Sequence, residues 1–117
     1  MAKTDLLYLG NMLDNAREIQ QIIAGLTRQQ FDQDKVTRLA LLHLVQTIGE
    51  AAKRVSAAHQ AATAIPWAEI RGMRNRIIHD YANINYDILR DTVALHIPPL
   101  ITELNQAVSL LIGRQKP

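Results

Sequence analysis

The sequence predicts an all-α fold, a bundle of four main helices whose last helix is broken by prolines. Apolar residues recur at three- and four-residue steps over most of the chain. No segment shows the apolar–polar alternation or the turn-bounded apolar run of a credible strand. The 117 residues, 48% of them hydrophobic, allow one hydrophobic core, so we expect a single helical domain over residues 1–117.

The first helix is predicted to run from an N-cap at Thr4 to about Leu26. One face carries its apolar residues, which are Leu9, Met12, Leu13, Ala16, Ile19, Ile23 and Leu26. The following sequence TRQQ, residues 27–30, matches a capping box, in which the Thr and Gln side chains satisfy backbone amides reciprocally. A short helical turn is therefore expected to start there.

The second helix is predicted from near Asp34 to about Ala57. Its expected apolar face is Val36, Leu39, Leu42, Val45 (or Leu44), Ile48, Ala52 and Val55. Gly49 lies inside this pattern, although Gly costs about 1 kcal/mol relative to Ala in a helix. We therefore expect close approach of another helix at this glycine.

The third helix is predicted to follow SAAHQAATAIP, residues 56–66, which has the composition of a connection. Pro66 fits the first helical position, where no amide is needed. Trp67 and Ile70 would anchor this helix to the core, and the apolar pattern continues through Met73 and residues 77–78. The pattern fails at DYANIN, residues 80–85, where turn-forming residues cluster.

The fourth helix is predicted from about Tyr86 to Leu95. Pro98 and Pro99 must break or kink it, because proline cannot continue the interior hydrogen bonds of a helix. A further helical piece should follow, with Leu100, Leu104, Ala107 and Leu111 on its apolar side.

Composition excludes several classes of protein. The chain has no cysteine, which excludes a disulfide scaffold and thiolate chemistry and fits the cytoplasm. We expect no signal peptide at the amino terminus and no membrane partner, because no apolar run approaches the roughly 20 residues that span a bilayer. The net charge of +2 is too small to indicate nucleic-acid binding. However, Arg71, Arg74 and Arg76 fall within a short stretch without an acid and predict a local cationic patch.

Helical geometry separates the two most reactive residues of that stretch. Asn75 and His79 are four positions apart and would share a helix face. Arg74 and His79 are five apart, so on a regular helix they point about 140° away from each other. If they act together, either the helix loosens near His79 or a second copy of the chain completes the site.

An arginine and a histidine together suit RNA cleavage. Histidine can exchange a proton near neutral pH, and such general acid–base help is typically worth about 10²- to 10⁴-fold. Arginine stays charged and can hold phosphate oxygens in the transition state. The ribose 2′-hydroxyl can serve as an internal nucleophile, so this chemistry requires no metal. No HExxH motif or paired acids at ligand spacing are present, and we expect neither a metal site nor a cofactor.

The string RNRIIHDY, residues 74–81, forms an R-x4-H-x-Y pattern. Its context is IGEA at residues 48–51, IPWAEIRGM just before the string, and DTV and IPPL after it. Together these segments resemble the HEPN superfamily and, within it, the HepT-like toxins of HepT–MntA toxin–antitoxin pairs. The resemblance covers roughly Leu39 to Leu104.

The resemblance implies a HEPN-like helical bundle and a metal-independent endoribonuclease toxin that acts as a homodimer, with both R-x4-H motifs lining a cleft at the interface. Arg74 and His79 would be the catalytic pair, with Asn75 as a polar neighbour. Tyr81 matches the tyrosine to which an MntA-like nucleotidyltransferase antitoxin adds AMP, which would repel RNA from a phosphate-binding cleft. The alternative is a non-catalytic HEPN-type module that binds a nucleotide or a protein partner.

Simpler interpretations of the same residues remain open. Arg71 and Arg76 would either contact the RNA backbone or lie on a solvated helix face. Arg74 could instead form a salt bridge with an acid such as Glu50, and a histidine at a helix end can interact with the helix dipole. Tyr81 could simply pack at a turn with its hydroxyl in water.

Glu50 lies in a stretch of small and apolar residues, and a buried acid requires a partner. It would either pair with Arg54 four residues later or reach the third helix and orient Arg74. The dipeptide His79–Asp80 has only a superficial likeness to HD phosphohydrolases, which need further metal ligands that this chain lacks. The remaining histidines carry no motif and are interpreted as structural or surface residues; they are His43, His59 and His96.

Overall fold

The computed structural model describes residues 2–80 and 83–115, and it is built almost entirely of helices. In chain order its elements are α1 (Ala2–Ile23), α2 (Arg28–Gln33), α3 (Lys35–Arg54), α4 (Ala57–Ala62), α5 (Trp67–Ile77), β1 (Ile78–Asp80), β2 (Asn83–Ile84), α6 (Tyr86–Asp91), a π-helical segment (Thr92–His96) and α7 (Ile97–Gln115).

Four helical rods form the bundle: α1, α3, α5 and the composite rod of α6, the π-helical segment and α7. Helix α1 packs against α3 and α7, and α3 packs against α5. Each rod contributes fully buried apolar side chains, and burying one such side chain is worth about 1.5–3 kcal/mol. These include Leu9, Met12, Ile19, Leu41, Ile48, Ile77, Leu89 and Leu104. The predicted all-α fold is confirmed.

The start of α1 differs from the prediction. The helix already includes Ala2, so Thr4 lies inside it and is not its N-cap. Asp5 is nearly buried, at 6% exposure, and its carboxylate accepts hydrogen bonds from the backbone N and the Oγ of Ser56, at 2.8 and 2.7 Å. Because Ser56 is the N-cap of α4, this buried carboxylate ties the start of α1 to the α3–α4 junction.

The helix starts at Thr27 and Asp34 were both predicted correctly. Thr27 and Gln30 form the expected capping box in front of α2. Asp34 ends α2 and caps α3, where its carboxylate accepts hydrogen bonds from the backbone N and the Oγ1 of Thr37. These hydrogen bonds, the backbone one foremost, hold the pKa of the Asp34 carboxyl below its usual value of 3.8.

The buried face of α3 was predicted only in part. Val36 and Leu39 are 77% and 43% exposed, so they do not belong to the core. Leu41, which was not predicted, is buried, and so are both Val45 and its predicted alternative Leu44, so the core-facing stripe begins at Leu41. Gly49 has the predicted role: a Cβ there would lie 3.3 Å from the carbonyl oxygen of Ile70 in α5, so its absence lets the two helices approach closely.

The connection between α3 and α5 is more ordered than its composition indicated. Residues 57–62 form α4, which Ser56 caps by accepting a hydrogen bond from the backbone N of His59. Pro66 lies at the N-cap of α5, one position before the predicted one. Trp67 and Ile70 are buried and anchor α5 as expected.

Two short strands follow α5, although no strand was predicted. Strands β1 and β2 pair antiparallel, with Ile78 opposite Ile84 and Asp80 opposite Asn83, and the register is irregular between these pairs. Asn85 extends the pairing, since its backbone N donates to the carbonyl of Ile77 at 2.7 Å. Strands this short and this polar give too weak a periodicity to be recognised in the sequence.

The prolines interrupt the last helix but do not end its helical path. The α-helical pattern gives way to the π-helical segment, in which the amide of Ile97 bonds to the carbonyl of Thr92 five residues earlier. Pro98 and Pro99 then lie in the first turn of α7, where missing amides are best tolerated. The predicted break is therefore a change of helix type just before the prolines. No helix in the described ranges is both long and apolar enough to cross a membrane.

Candidate active site

The α-helical hydrogen bonding stops between the two predicted catalytic residues. The amide of Ile78 donates to the carbonyl of Arg74 at the C-cap of α5, and the chain then becomes extended. Arg74 thus lies on the last turn of α5 and His79 lies on β1. The chain does leave the helix before His79, one of the two arrangements expected from their five-residue spacing.

Strand geometry nevertheless keeps the two side chains apart within one chain. Side chains alternate between the faces of a strand, so Ile78 and Asp80 lie on one side of β1 and His79 on the other. Arg74 lines a groove with Ile78 and Asp80, and His79 lines an adjacent groove, with Ile84 in the lining of both. Within one chain, Arg74 and His79 therefore line different grooves.

The groove beside His79 is bordered by side chains of α6 that contact α2 and α3. Tyr86 and Asp87 form part of its wall. The guanidinium of Arg38 stacks 4.4 Å from the centre of the Tyr86 ring, and Arg28 donates to Asp87 at 2.6 Å. These contacts fix the start of α6 and thereby the wall that faces the histidine.

Arg74 and Asn75 are exposed neighbours on the last turn of α5. The Nη1 of Arg74 donates to the Oδ1 of Asn75 at 3.3 Å, a long and weak hydrogen bond. Among the described residues Arg74 has no salt bridge, so the alternative of a pair with Glu50 is not formed. Its guanidinium therefore remains available for an anion.

Glu50 is exposed on α3, so its predicted burial is wrong. Within the described part of the chain it forms no salt bridge with Arg54 or Arg74. The guanidinium of Arg54 lies 5.9 Å from the centre of the Tyr8 ring instead. Glu50 does line a groove together with Arg74, and its role in orienting that arginine stays a prediction.

The other two arginines of the patch differ from each other. Arg71 is half-buried, and its Nη1 donates to the Oε1 of Gln60 in α4. Arg76 is exposed, and its Nη2 donates to the carbonyl oxygen of Glu69 at 3.2 Å. The interpretation as a residue on a solvated helix face therefore fits Arg76 better than it fits Arg71.

Two residues near the patch were missed in the sequence. Lys53 lines the same groove as Arg71 and Arg74. Its position three residues after Glu50 on α3 was an available signal, because residues three apart share a helix face. Gln60 could not have been found in this way, because its helix was not predicted.

The remaining residues of interest are readily placed. His43 and His96 are exposed, while His59 packs edge-on against Trp67 with ring centres 6.1 Å apart. Within residues 2–80 and 83–115, no three His, Asp or Glu side chains cluster as a candidate metal site. Tyr81, the expected modification site, lies outside the described residues.

Comparison with known proteins places these features in a family. The family described as "Ribonuclease HepT-like" matches residues 12–107. A "Putative RNase" of Caldanaerobacter subterraneus is 30% identical over 115 residues, covering 97% of this chain and 99% of the relative. A "Probable ribonuclease HepT" of Thermococcus cleftensis is 30% identical over 94 residues, covering 80% and 86%. No solved structure matches the chain significantly.

Proposed function

The chain belongs to the HepT-like ribonuclease family, and on this premise we propose that it is a metal-independent endoribonuclease in which Arg74 and His79 are catalytic. The observation that carries the proposal is the last turn of α5, where an exposed arginine without a salt bridge among the described residues is followed by an exposed histidine on β1. His79 would exchange protons with the ribose 2′-hydroxyl or the leaving oxygen, and Arg74 would stabilise the charge on the phosphate.

The proposed enzyme is a homodimer, because one chain holds Arg74 and His79 in separate grooves. A two-fold contact near β1 would let the arginine of one chain meet the histidine of the other. An exposed stripe on α3 supports such a contact, since Val36, Leu39 and His43 share the helix face that continues to Glu50. Exposed apolar residues grouped in this way are typical of an interaction surface.

We further propose that the enzyme is the toxin of a toxin–antitoxin pair, silenced by an MntA-like nucleotidyltransferase that adds AMP to Tyr81. The support is the R-x4-H-x-Y pattern, which puts the tyrosine two residues after the proposed catalytic histidine. An added AMP would bring negative charge next to a site that must bind phosphate. Incubation with the cognate transferase and ATP should raise the intact mass by AMP units, and full modification of Tyr81→Phe would exclude this site.

Cleavage of RNA in excess EDTA tests the enzymatic proposal. The wild type should cut, and His79→Ala and Arg74→Ala should each lower the rate by about 10²- to 10⁴-fold, the usual worth of acid–base or charge-stabilising groups. His96→Ala and Arg114→Ala are matched controls, since both side chains are exposed and lie outside the site.

The products give a second criterion. Attack by the ribose 2′-hydroxyl expels the 5′-oxygen and leaves a 2′,3′-cyclic phosphate. Attack by water that expels the 3′-oxygen leaves a 5′-phosphate. Wild-type rates in both site variants would remove the catalytic assignment. Nucleotide binding by a well-folded protein that never cuts RNA would favour a non-catalytic binding module instead.

A further inference from the structure

A cationic groove runs between α3 and α5, next to the proposed catalytic arginine. We call it the α3–α5 groove, and its lining side chains are Gln46, Glu50, Lys53, Arg71, Arg74 and Asn75. Three of these are cations and one is an acid, and no salt bridge joins them to one another. The groove therefore has an excess of positive charge that is not neutralised internally.

Gly49 shapes this groove. It lies in the groove lining at a point where α3 closely approaches the Ile70 carbonyl of α5. A Cβ here would lie 3.3 Å from that carbonyl oxygen, so one of the two helices would have to give by a few tenths of an ångström. The close approach of the two helices at this glycine is part of a groove that Lys53 of α3 and Arg71 of α5 both line.

Gln60 holds Arg71 in place from outside the groove. Its Nε2 donates to the carbonyl oxygens of Ala52 and Val55, at 3.1 and 2.9 Å, near the end of α3. Both amide hydrogens are thereby engaged, so the Oε1 must face the other way, where it accepts the hydrogen bond from the Nη1 of Arg71. A guanidinium has five N–H donors, so Arg71 keeps others for a ligand.

We propose that the α3–α5 groove binds a backbone phosphate of the RNA beside the one that is cut, through Lys53 and Arg71, with Gln60 positioning Arg71. This inference rests on the proposed ribonuclease function. Arginine holds phosphate oxygens through paired N–H groups, and lysine acts as a point charge. Arg74 lines both the α3–α5 groove and the groove that Ile78 and Asp80 line. An RNA strand bound in the α3–α5 groove therefore reaches the proposed catalytic arginine directly.

The test is binding of a short single-stranded RNA whose riboses are all 2′-O-methylated, so that the attacking hydroxyl is absent and nothing is cut. Lys53→Ala and Arg71→Ala should each weaken binding about three- to tenfold and flatten the slope of log affinity against log salt by about 0.7. Lys35→Ala is the matched control, because Lys35 is also exposed on α3 but lies about 27 Å along the helix from Lys53. It should change neither quantity.

Gln60 is tested through its coupling to Arg71. Gln60→Ala should weaken binding in the wild type but have no further effect when Arg71 is already alanine, which a merely structural role would not produce. Additive losses would overturn the positioning role.

The outcomes separate this proposal from the ribonuclease proposal. Cleavage by the wild type, together with unchanged affinity and salt slope in the Lys53 and Arg71 variants, would overturn the groove alone. Failure of the wild type both to cleave unmodified RNA and to bind the methylated RNA would overturn both, whereas cleavage without binding of the methylated RNA at any salt concentration would overturn the groove alone. Displacement of the RNA by AMP at equal concentration would assign the groove to a free nucleotide and overturn the assignment to an RNA strand.

Discussion

At the scale of single residues, one buried carboxylate connects α1 to α4. Asp5 is a nearly buried carboxylate that satisfies two donors of Ser56, the N-cap of α4. Helix α4 in turn carries Gln60, which binds the end of α3 and Arg71. A side chain near the start of α1 is therefore connected to Arg71 of the cationic groove through Ser56 and Gln60, by three successive hydrogen-bonded contacts.

Replacing Asp5 by Ala should lower the free energy of unfolding by about 1–3 kcal/mol, because the Ser56 amide then loses its partner in a partly buried setting. Asp14→Ala is the matched control, since Asp14 is an exposed acid on the same helix, and it should stay within about 0.5 kcal/mol of the wild type. Urea denaturation measures both variants. Equal stability of the two would show that the Asp5–Ser56 contact contributes nothing.

At the scale of whole elements, helix ends decide where the side chains of the proposed site lie. Asp34 both ends α2 and begins α3, which fixes the direction of the helix that carries Glu50 and Lys53. The end of α5 at Ile77 determines the position of His79. Beyond it the chain is extended, so His79 lies on the opposite face of β1 from Ile78 and Asp80.

The cap at Asp34 predicts a pH dependence of stability. Its pKa in the folded state lies below the unfolded value of 3.8, so the ionised form is favoured by folding. This stabilisation is present above that value and is lost as the pH falls through the folded-state pKa. Asp34→Asn keeps an N-cap but cannot titrate.

The wild type should therefore lose unfolding free energy relative to Asp34→Asn as the pH falls from about 6 to about 2. Urea denaturation at each pH measures it, and the comparison with asparagine removes the titration of all other carboxyls. A difference that stays constant over this range would mean that the Asp34 charge does not stabilise the cap.

At the scale of the whole molecule, the proposed site draws on a second chain, because Arg74 and His79 line different grooves of one chain. If the arginine of one chain serves the histidine of the other, each inactive variant retains what the other lacks. A mixed dimer of Arg74→Ala and His79→Ala then contains one intact site of two. Because half of the dimers are mixed at equal concentrations, activity should recover to roughly a quarter of the wild-type value.

This recovery is measured by unfolding and refolding the two variants together and assaying RNA cleavage in EDTA. Refolding each variant separately and then combining them without exchange is the control and should give no recovery. Absence of activity in the sample refolded together would contradict a site that takes its arginine and its histidine from different chains.

The sequence by itself determined the helical fold, the helix starts at Thr27 and Asp34, and the close approach at Gly49, because each depends on local periodicity or on a single side chain. It also carried the family resemblance in one contiguous string around Arg74 and His79. Tertiary structure decided what depends on distant neighbours: the exposure of Val36 and Glu50, the π-helical turn before the prolines, and the Gln60–Arg71 contact. It also placed His79 on β1, a strand too short to recognise in the sequence. No local pattern selects this extended conformation; the pairing with β2 and the end of α5 do.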